Sequence, residues 1–162
     1  MAEAKIFARL KADHDRHRDL LDRIDETSGD SDDRRYLFGA FRVEVTAHAA
    51  SEEMSLYATM LGRPDLRDEA QHSVAEHKEI EDLLTELFEM DFASTGWLTR
   101  FRTMKDRYLH HIEEEEDEMF PEAEDGLSAA KKKELAAIFD KEKPKEKAKA
   151  AAEEPSSEHA RE

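Results

Sequence analysis

Residues 97–120 read WLTRFRTMKDRYLHHIEEEEDEMF. Trp97, Phe101, Met104, Tyr108, His111, Glu115 and Met119 recur at steps of three and four, so they share one face of a helix. The other faces carry Arg, Lys, Asp and Glu. His111 and Glu115 occupy places on the apolar stripe where leucine would be expected. The same pattern appears upstream as Phe38, Phe41, Val45, His48, Glu52 and Leu56. It appears again as Phe7, Leu10, His14, His17, Leu21 and Ile24, and as Ala70, Val74, His77, Ile80, Leu84 and Leu87. These stripes predict four long helices, over roughly 3–27, 32–61, 66–90 and 96–122. The breaks Thr-Ser-Gly-Asp at 27–30, Gly-Arg-Pro-Asp at 62–65 and Asp91–Gly96 separate them. Such short connections between long helices favour an all-α, up-down-up-down antiparallel four-helix bundle.

Ser128 can cap a short fifth helix with Leu135, Ile138 and Phe139 on its stripe. From about 141 the chain turns to Lys, Glu, Ala, Pro and Ser without a large apolar residue, which predicts a disordered polar tail. The expected organisation is thus a helical bundle over 1–140 and a tail over 141–162. No internal repeat is evident beyond the helical period.

The chain has 162 residues, with 25 Lys plus Arg against 41 Asp plus Glu, for a net charge of −16. An acidic surface repels phosphate backbones and anionic lipid, which argues against nucleic-acid and membrane partners. No segment approaches the roughly 18 apolar residues that span a bilayer, and the N-terminus lacks the apolar run of a secretory signal. A cytoplasmic location is the expectation. There is no cysteine, so thiol catalysis, Cys-bound zinc and iron–sulfur clusters are excluded, and any metal must be held by His and carboxylates.

His48-x-x-x-Glu52 and His111-x-x-x-Glu115 each set an imidazole and a carboxylate on one helix face, about 5–6 Å apart at Cβ. His14 and His77 bring further imidazoles to the interior from the other two helices. Two buried carboxylates without a cation would cost several kcal/mol each. Four imidazoles and two carboxylates exceed the needs of one tetrahedral zinc. They suit two metals, with glutamates from opposite helices bridging ions about 3.5–4 Å apart. Iron suits this donor set best among redox metals, with manganese and zinc open on ligand type. A ferritin-like di-iron site requires two Glu-x-x-His motifs, and this chain offers only Glu69-x-x-His72, at a helix start and off the apolar stripe. His17 reads as a packed, hydrogen-bonded residue, and His72 and His110 as solvated. Tyr57 and Tyr108 lie near the site and could donate a hydrogen bond to a bound oxygen species or a bridging group, with packing as the expected role. In the run Glu113–Glu118 only Glu115, and after it Glu114, should face inward.

The chain resembles the hemerythrin-like, or HHE cation-binding, domains over roughly residues 5–140. The resemblance rests on Ala12-Asp13-His14 followed by Leu20-Leu21, and on His48-Ala-Ala-Ser-Glu52-Glu53 followed by Leu56-Tyr57. Glu76-His77 before Leu83-Leu84, and His110-His111-Ile-Glu-Glu-Glu115 closing in Met119-Phe120-Pro121, complete it. It implies a non-haem centre of two iron ions, with His14, His48, His77 and His111 as terminal ligands and Glu52 and Glu115 as bridging carboxylates beside an oxo or hydroxo bridge. The implied partner is a small diatomic or peroxide ligand. Oxygen-carrying hemerythrins place a second histidine four residues before the one matching His77, where this chain has Ser73. That departure implies a more open iron, favouring reaction with peroxide, nitric oxide or oxygen over oxygen storage. A sensor or interaction module without turnover, and a metal-free structural bundle, are the alternative readings.

Overall fold

The computed structural model describes residues 4–153 and is helical nearly throughout them. Helix α1 spans Lys5–Asp25 and α2 spans Asp32–Glu52. A π-helical turn, Glu53–Tyr57, joins α2 without a break to α3, Ala58–Leu61. Helix α4 covers Arg67–Glu89 and α5 covers Thr95–Glu114. A second π-helical turn, Glu115–Met119, leads into α6, Phe120–Gly126. Thus the four expected long helices are α1, α2 to α3, α4 and α5 to α6, in an up-down-up-down bundle.

Local chemistry sets the turns. Ser31 caps α2 by accepting a hydrogen bond from the Arg34 amide, and Gly29 takes the left-handed conformation (φ 63°) that the preceding tight turn needs. Arg34 is buried, yet its guanidinium donates to the Thr27 carbonyl at 2.9 Å and the Phe92 carbonyl at 2.7 Å, over the face of Trp97. One cation thereby fastens the α1–α2 and α4–α5 connections together at one end of the bundle.

The apolar core divides in two. One cluster, built around Leu21, Phe38, Phe41, Leu87, Trp97 and Phe101, fills the end near those connections. The other, around Phe7, Leu10, Leu56, Met60, Phe120 and Phe139, fills the opposite end. A layer of buried histidines and glutamates lies between them.

The fifth helix runs further than the sequence suggests. Capped by Ser128, α7 spans Ala129–Ala152 and passes through Pro144, so residues 141–152, expected as polar tail, are helical and packed. Leu135 and Phe139 bury against the bundle as predicted. Beyond them attachment is ionic: Lys143 bonds Asp13 at 2.6 Å and Lys147 bonds the buried Glu44 at 2.7 Å. Arg42 closes the contact by donating to the Ala150 carbonyl at 3.1 Å. A basic segment lies on an acidic bundle, so it orders without large apolar side chains. The rest of the expected tail, 154–162, lies outside the described residues.

Candidate metal centre

All six predicted donors meet in the polar layer. His14 comes from α1, His48 and Glu52 from α2, His77 from α4 and His111 from α5, and Glu115 opens the second π turn. Glu52 Oε1 lies 3.6 Å from His48 Nε2 and 3.3 Å from His77 Nε2. Glu115 Oε1 lies 3.4 Å from His14 Nε2 and 3.2 Å from His111 Nε2. These lengths are too long for good hydrogen bonds. They match the donor–donor edges of a coordination shell with bonds of about 2.1 Å. His14 Nε2, His48 Nε2, both Glu52 oxygens and Glu115 Oε1 are buried without a hydrogen-bond partner. Buried polar atoms are seldom left so. The donors form two overlapping groups that could each hold a metal ion: His14, His48, Glu52 and Glu115, and His77, His111, Glu52 and Glu115. Both glutamates are shared.

Every one of these imidazoles is turned by a carboxylate on its other nitrogen. His48 Nδ1 lies 2.8 Å from Asp13, His77 Nδ1 2.7 Å from Glu53, His111 Nδ1 2.8 Å from Glu76 and His14 Nδ1 2.8 Å from Glu116. A donor hydrogen held on Nδ1 leaves the Nε2 lone pair directed inward, the usual arrangement behind metal-ligating histidines. The partners alternate round the bundle, each bond tying one helix to the next.

Adding 63 to a residue number in the first half gives its counterpart in the second: His14 and His77, His48 and His111, Glu52 and Glu115, Asp13 and Glu76, Glu53 and Glu116. The site is therefore built twice, and the same offset also pairs Leu20 with Leu83, Leu21 with Leu84 and Phe38 with Phe101, a repeat that the sequence reading missed.

The electrostatics follow from crowding. Burial alone would push His14 and His111 down, but Glu115, with Glu116 on His14 and Glu76 on His111, holds each up at about 9. Burial dominates at His48, lowered to about 4 despite Asp13, and at His17, pushed well down by burial with His48 and His14 beside it. Burial and the neighbouring Glu115 raise Glu52 well above the carboxylate range. Burial opposes ionisation of Glu115 too, but the His111 and His14 imidazoles beside it bring it well below. Glu116, partly desolvated, is drawn down to about 2 by His14 and Arg18.

The structure corrects three minor assignments. Glu116, expected in solvent, anchors His14. Tyr57, for which packing was expected over a hydrogen bond to a bridging group, is wholly buried and donates to Glu115 Oε2 at 2.5 Å while lying 3.4 Å from His77 Nε2. A residue five beyond Glu52 would lie about 140° round an α-helix. The i→i+5 closure of the π turn, seen in the Ala58 amide bonding the Glu53 carbonyl, swings Tyr57 back to the site. Tyr108 also bonds rather than merely packs, its hydroxyl 2.6 Å from His17 Nδ1. His17 is packed and hydrogen-bonded as expected, and His72 and His110 are exposed. Ser73 is buried, its hydroxyl 4.0 Å from the Met119 sulfur. A cavity of about 330 Å³ between α2 and α4 reaches His48 and His77, with Val45, Ile80, Tyr108 and Ala150 among its walls.

No helix among the described residues is long and apolar enough to cross a membrane. The chain matches the family model of the hemerythrin HHE cation binding domain over residues 5–123. No curated protein matches it. Among solved structures it is similar to a hemerythrin HHE cation binding domain-containing protein from Mycobacterium kansasii, at 23% identity and a TM-score of 0.76, over 92% of this chain and 90% of that one. That likeness bears on the fold, while the family match spans most of the chain and covers all six donors, so the chain belongs to the hemerythrin HHE cation-binding domain family.

Proposed function

We propose that the chain is a cytoplasmic, non-haem di-iron protein that binds and reacts with a small ligand, namely peroxide, nitric oxide or oxygen. The observation that carries this reading is the pair of four-donor groups sharing Glu52 and Glu115, with buried donor atoms that nothing in the protein satisfies. His14 and His48 would hold one iron, His77 and His111 the other, and the glutamates would bridge them. Bound there, an iron pair supplies adjacent Lewis-acid sites and a reversible change of oxidation state.

The chain's own residues orient and screen. Asp13, Glu53, Glu76 and Glu116 fix the imidazoles, and the two apolar clusters exclude water above and below. The cavity between α2 and α4 offers a path for a small molecule to His48 and His77. Tyr57 sets a hydroxyl against Glu115, where a proton can be held beside the pair. Ser73 supplies no imidazole to the second group, which favours a reactive centre over a saturated carrier.

Metal analysis of the purified protein, with multiple-turnover assays of peroxide decomposition and of nitric oxide or oxygen consumption, tests the proposal. Two irons per chain with turnover of one of these is the expected result. Stoichiometric binding without turnover would instead support the sensor reading, which the α7 terminus beside the cavity favours. A protein that takes up no metal would refute both.

A further inference from the structure

A second cluster of donors lies on the surface beside the buried one. His72 Nε2 sits 3.3 Å from Glu76 Oε2 and 3.4 Å from Glu114 Oε2, and His110 Nε2 sits 3.0 Å from Glu114 Oε1. His72, Glu76 and Glu114 form a three-donor group that could hold an ion, with the same polyhedral edges as the buried centre. Glu76 belongs to both neighbourhoods, because its Oε1 holds His111 Nδ1.

An independent feature connects the two. A cavity of about 190 Å³ opens beside His72 and Glu114, passes Ser73, and ends on Glu115. Glu115 is 1% exposed and its Oε1 has no hydrogen-bond partner. Asp68, Glu69, Glu118 and Met119 also line it, so carboxylates make up most of its walls. The counterpart face of the first half is closed to cations. Ser73 corresponds there to Leu10, which is fully buried, and Asp68 and His72 correspond to Lys5 and Arg9, the latter paired with Asp140 of α7.

We propose that His72, Glu76 and Glu114 form a third, exposed site for divalent iron, from which the ion passes through the Ser73 gap to Glu115 and loads the buried centre. This rests on the reading that the buried cluster holds metal. Small side chain and acidic walls then have a common purpose: they provide an entrance that the other half lacks, and cations gather there by attraction to its field.

The test uses metal-free full-length protein and Co²⁺ under anaerobic conditions, with calorimetry for stoichiometry and stopped-flow absorbance for filling of the buried centre. The native chain should bind three ions. His72→Ala with Glu114→Gln should bind two, and should fill the buried centre at least tenfold more slowly to the same final occupancy. Ser73→Leu should keep the exposed ion while slowing filling similarly, and Glu134→Gln on α7 should change neither. Filling of the His72/Glu114 variant at the native rate, or retention of three ions by it, would overturn the proposal while leaving the buried centre's assignment intact. Native protein that binds no ion at the buried cluster would overturn both.

Discussion

Each half of the bundle supplies three of the six donors and two of the four orienting carboxylates, yet the halves surround them differently. Five residues after each bridging-type glutamate, an aromatic ring returns to the site. In one half Phe120 stacks on His14 (5.9 Å between centroids, 12° apart); in the other Tyr57 stacks on His77 (5.2 Å, 25°). The ring is common to both, and the hydroxyl belongs to one. His17 and Tyr108 likewise pair beside the first group, where the 63-residue offset gives only Ile80 and Val45 in return. Helix α7 packs mainly on the α1–α2 side. Duplication therefore accounts for where metal can sit, and departure from duplication accounts for what reaches it and with which protons.

The sharpest way to break the comparison is to remove one imidazole from each half. His48→Ala and His111→Ala should each lower bound iron from two to one or fewer per chain, measured by metal analysis. If His111→Ala retained full metal content, the equivalence of the halves as ligand sources would fail. The next effect concerns the cover. Phe139→Ala should cost about 3–5 kcal/mol in urea denaturation, as for other buried Phe truncations, because Phe139 packs against His48 and the lower core. An aromatic swap follows. Tyr57→Phe should destabilise the metal-free protein by roughly 1.5–3 kcal/mol, the range for a hydrogen bond to a charged group. Phe120→Tyr, which only adds a hydroxyl to the other ring, should not restore it.

The smallest effect is a pH profile of metal-free stability. His14 and His111, held up at about 9, and the raised Glu52 keep protons that the unfolded chain releases, so stability falls as pH rises from about 6.5 towards 9. Between about 4.5 and 6.5 the lowered His17 and His48 pull against the raised Glu52 and Glu69, leaving a plateau. Below about 4.5 the unfolded chain takes up protons on Asp13 and Glu116 that the fold keeps off them, and stability falls again. Thermal melts across this range should show that plateau. With iron bound, melting should be higher and the optimum should move above pH 6.5, because metal displaces the same protons. An optimum that stays in place would count against the six donors as its ligands.

Much of this was legible in the sequence because burial of a histidine or glutamate on an apolar stripe is costly enough to stand out. His14, His48, Glu52, His77, His111 and Glu115 all announce themselves that way. Asp13, Glu53, Glu76 and Glu116 do not, since each adjoins a donor and faces the edge of the interior, where a charged residue looks like ordinary surface. Their signal was the constant offset of 63. The π turns leave no mark of the Gly or Pro kind, so the position of Tyr57 could not be anticipated from α-helical spacing. Ionic docking of residues 141–152 escaped a reading tuned to apolar area. The small ligand, and iron itself, are matters of chemistry that donor type alone narrows without naming.

The four orienting bonds run from α1 to α2, from the turn after α2 to α4, from α4 to α5, and from the turn after α5 back to α1. That is a closed hoop around the polar layer. A helix cannot leave it without opening two of its four fastenings and uncovering buried charge at both. Amide hydrogens at the level of the hoop should therefore exchange together through one common opening, whereas the ends of the same helices fray independently.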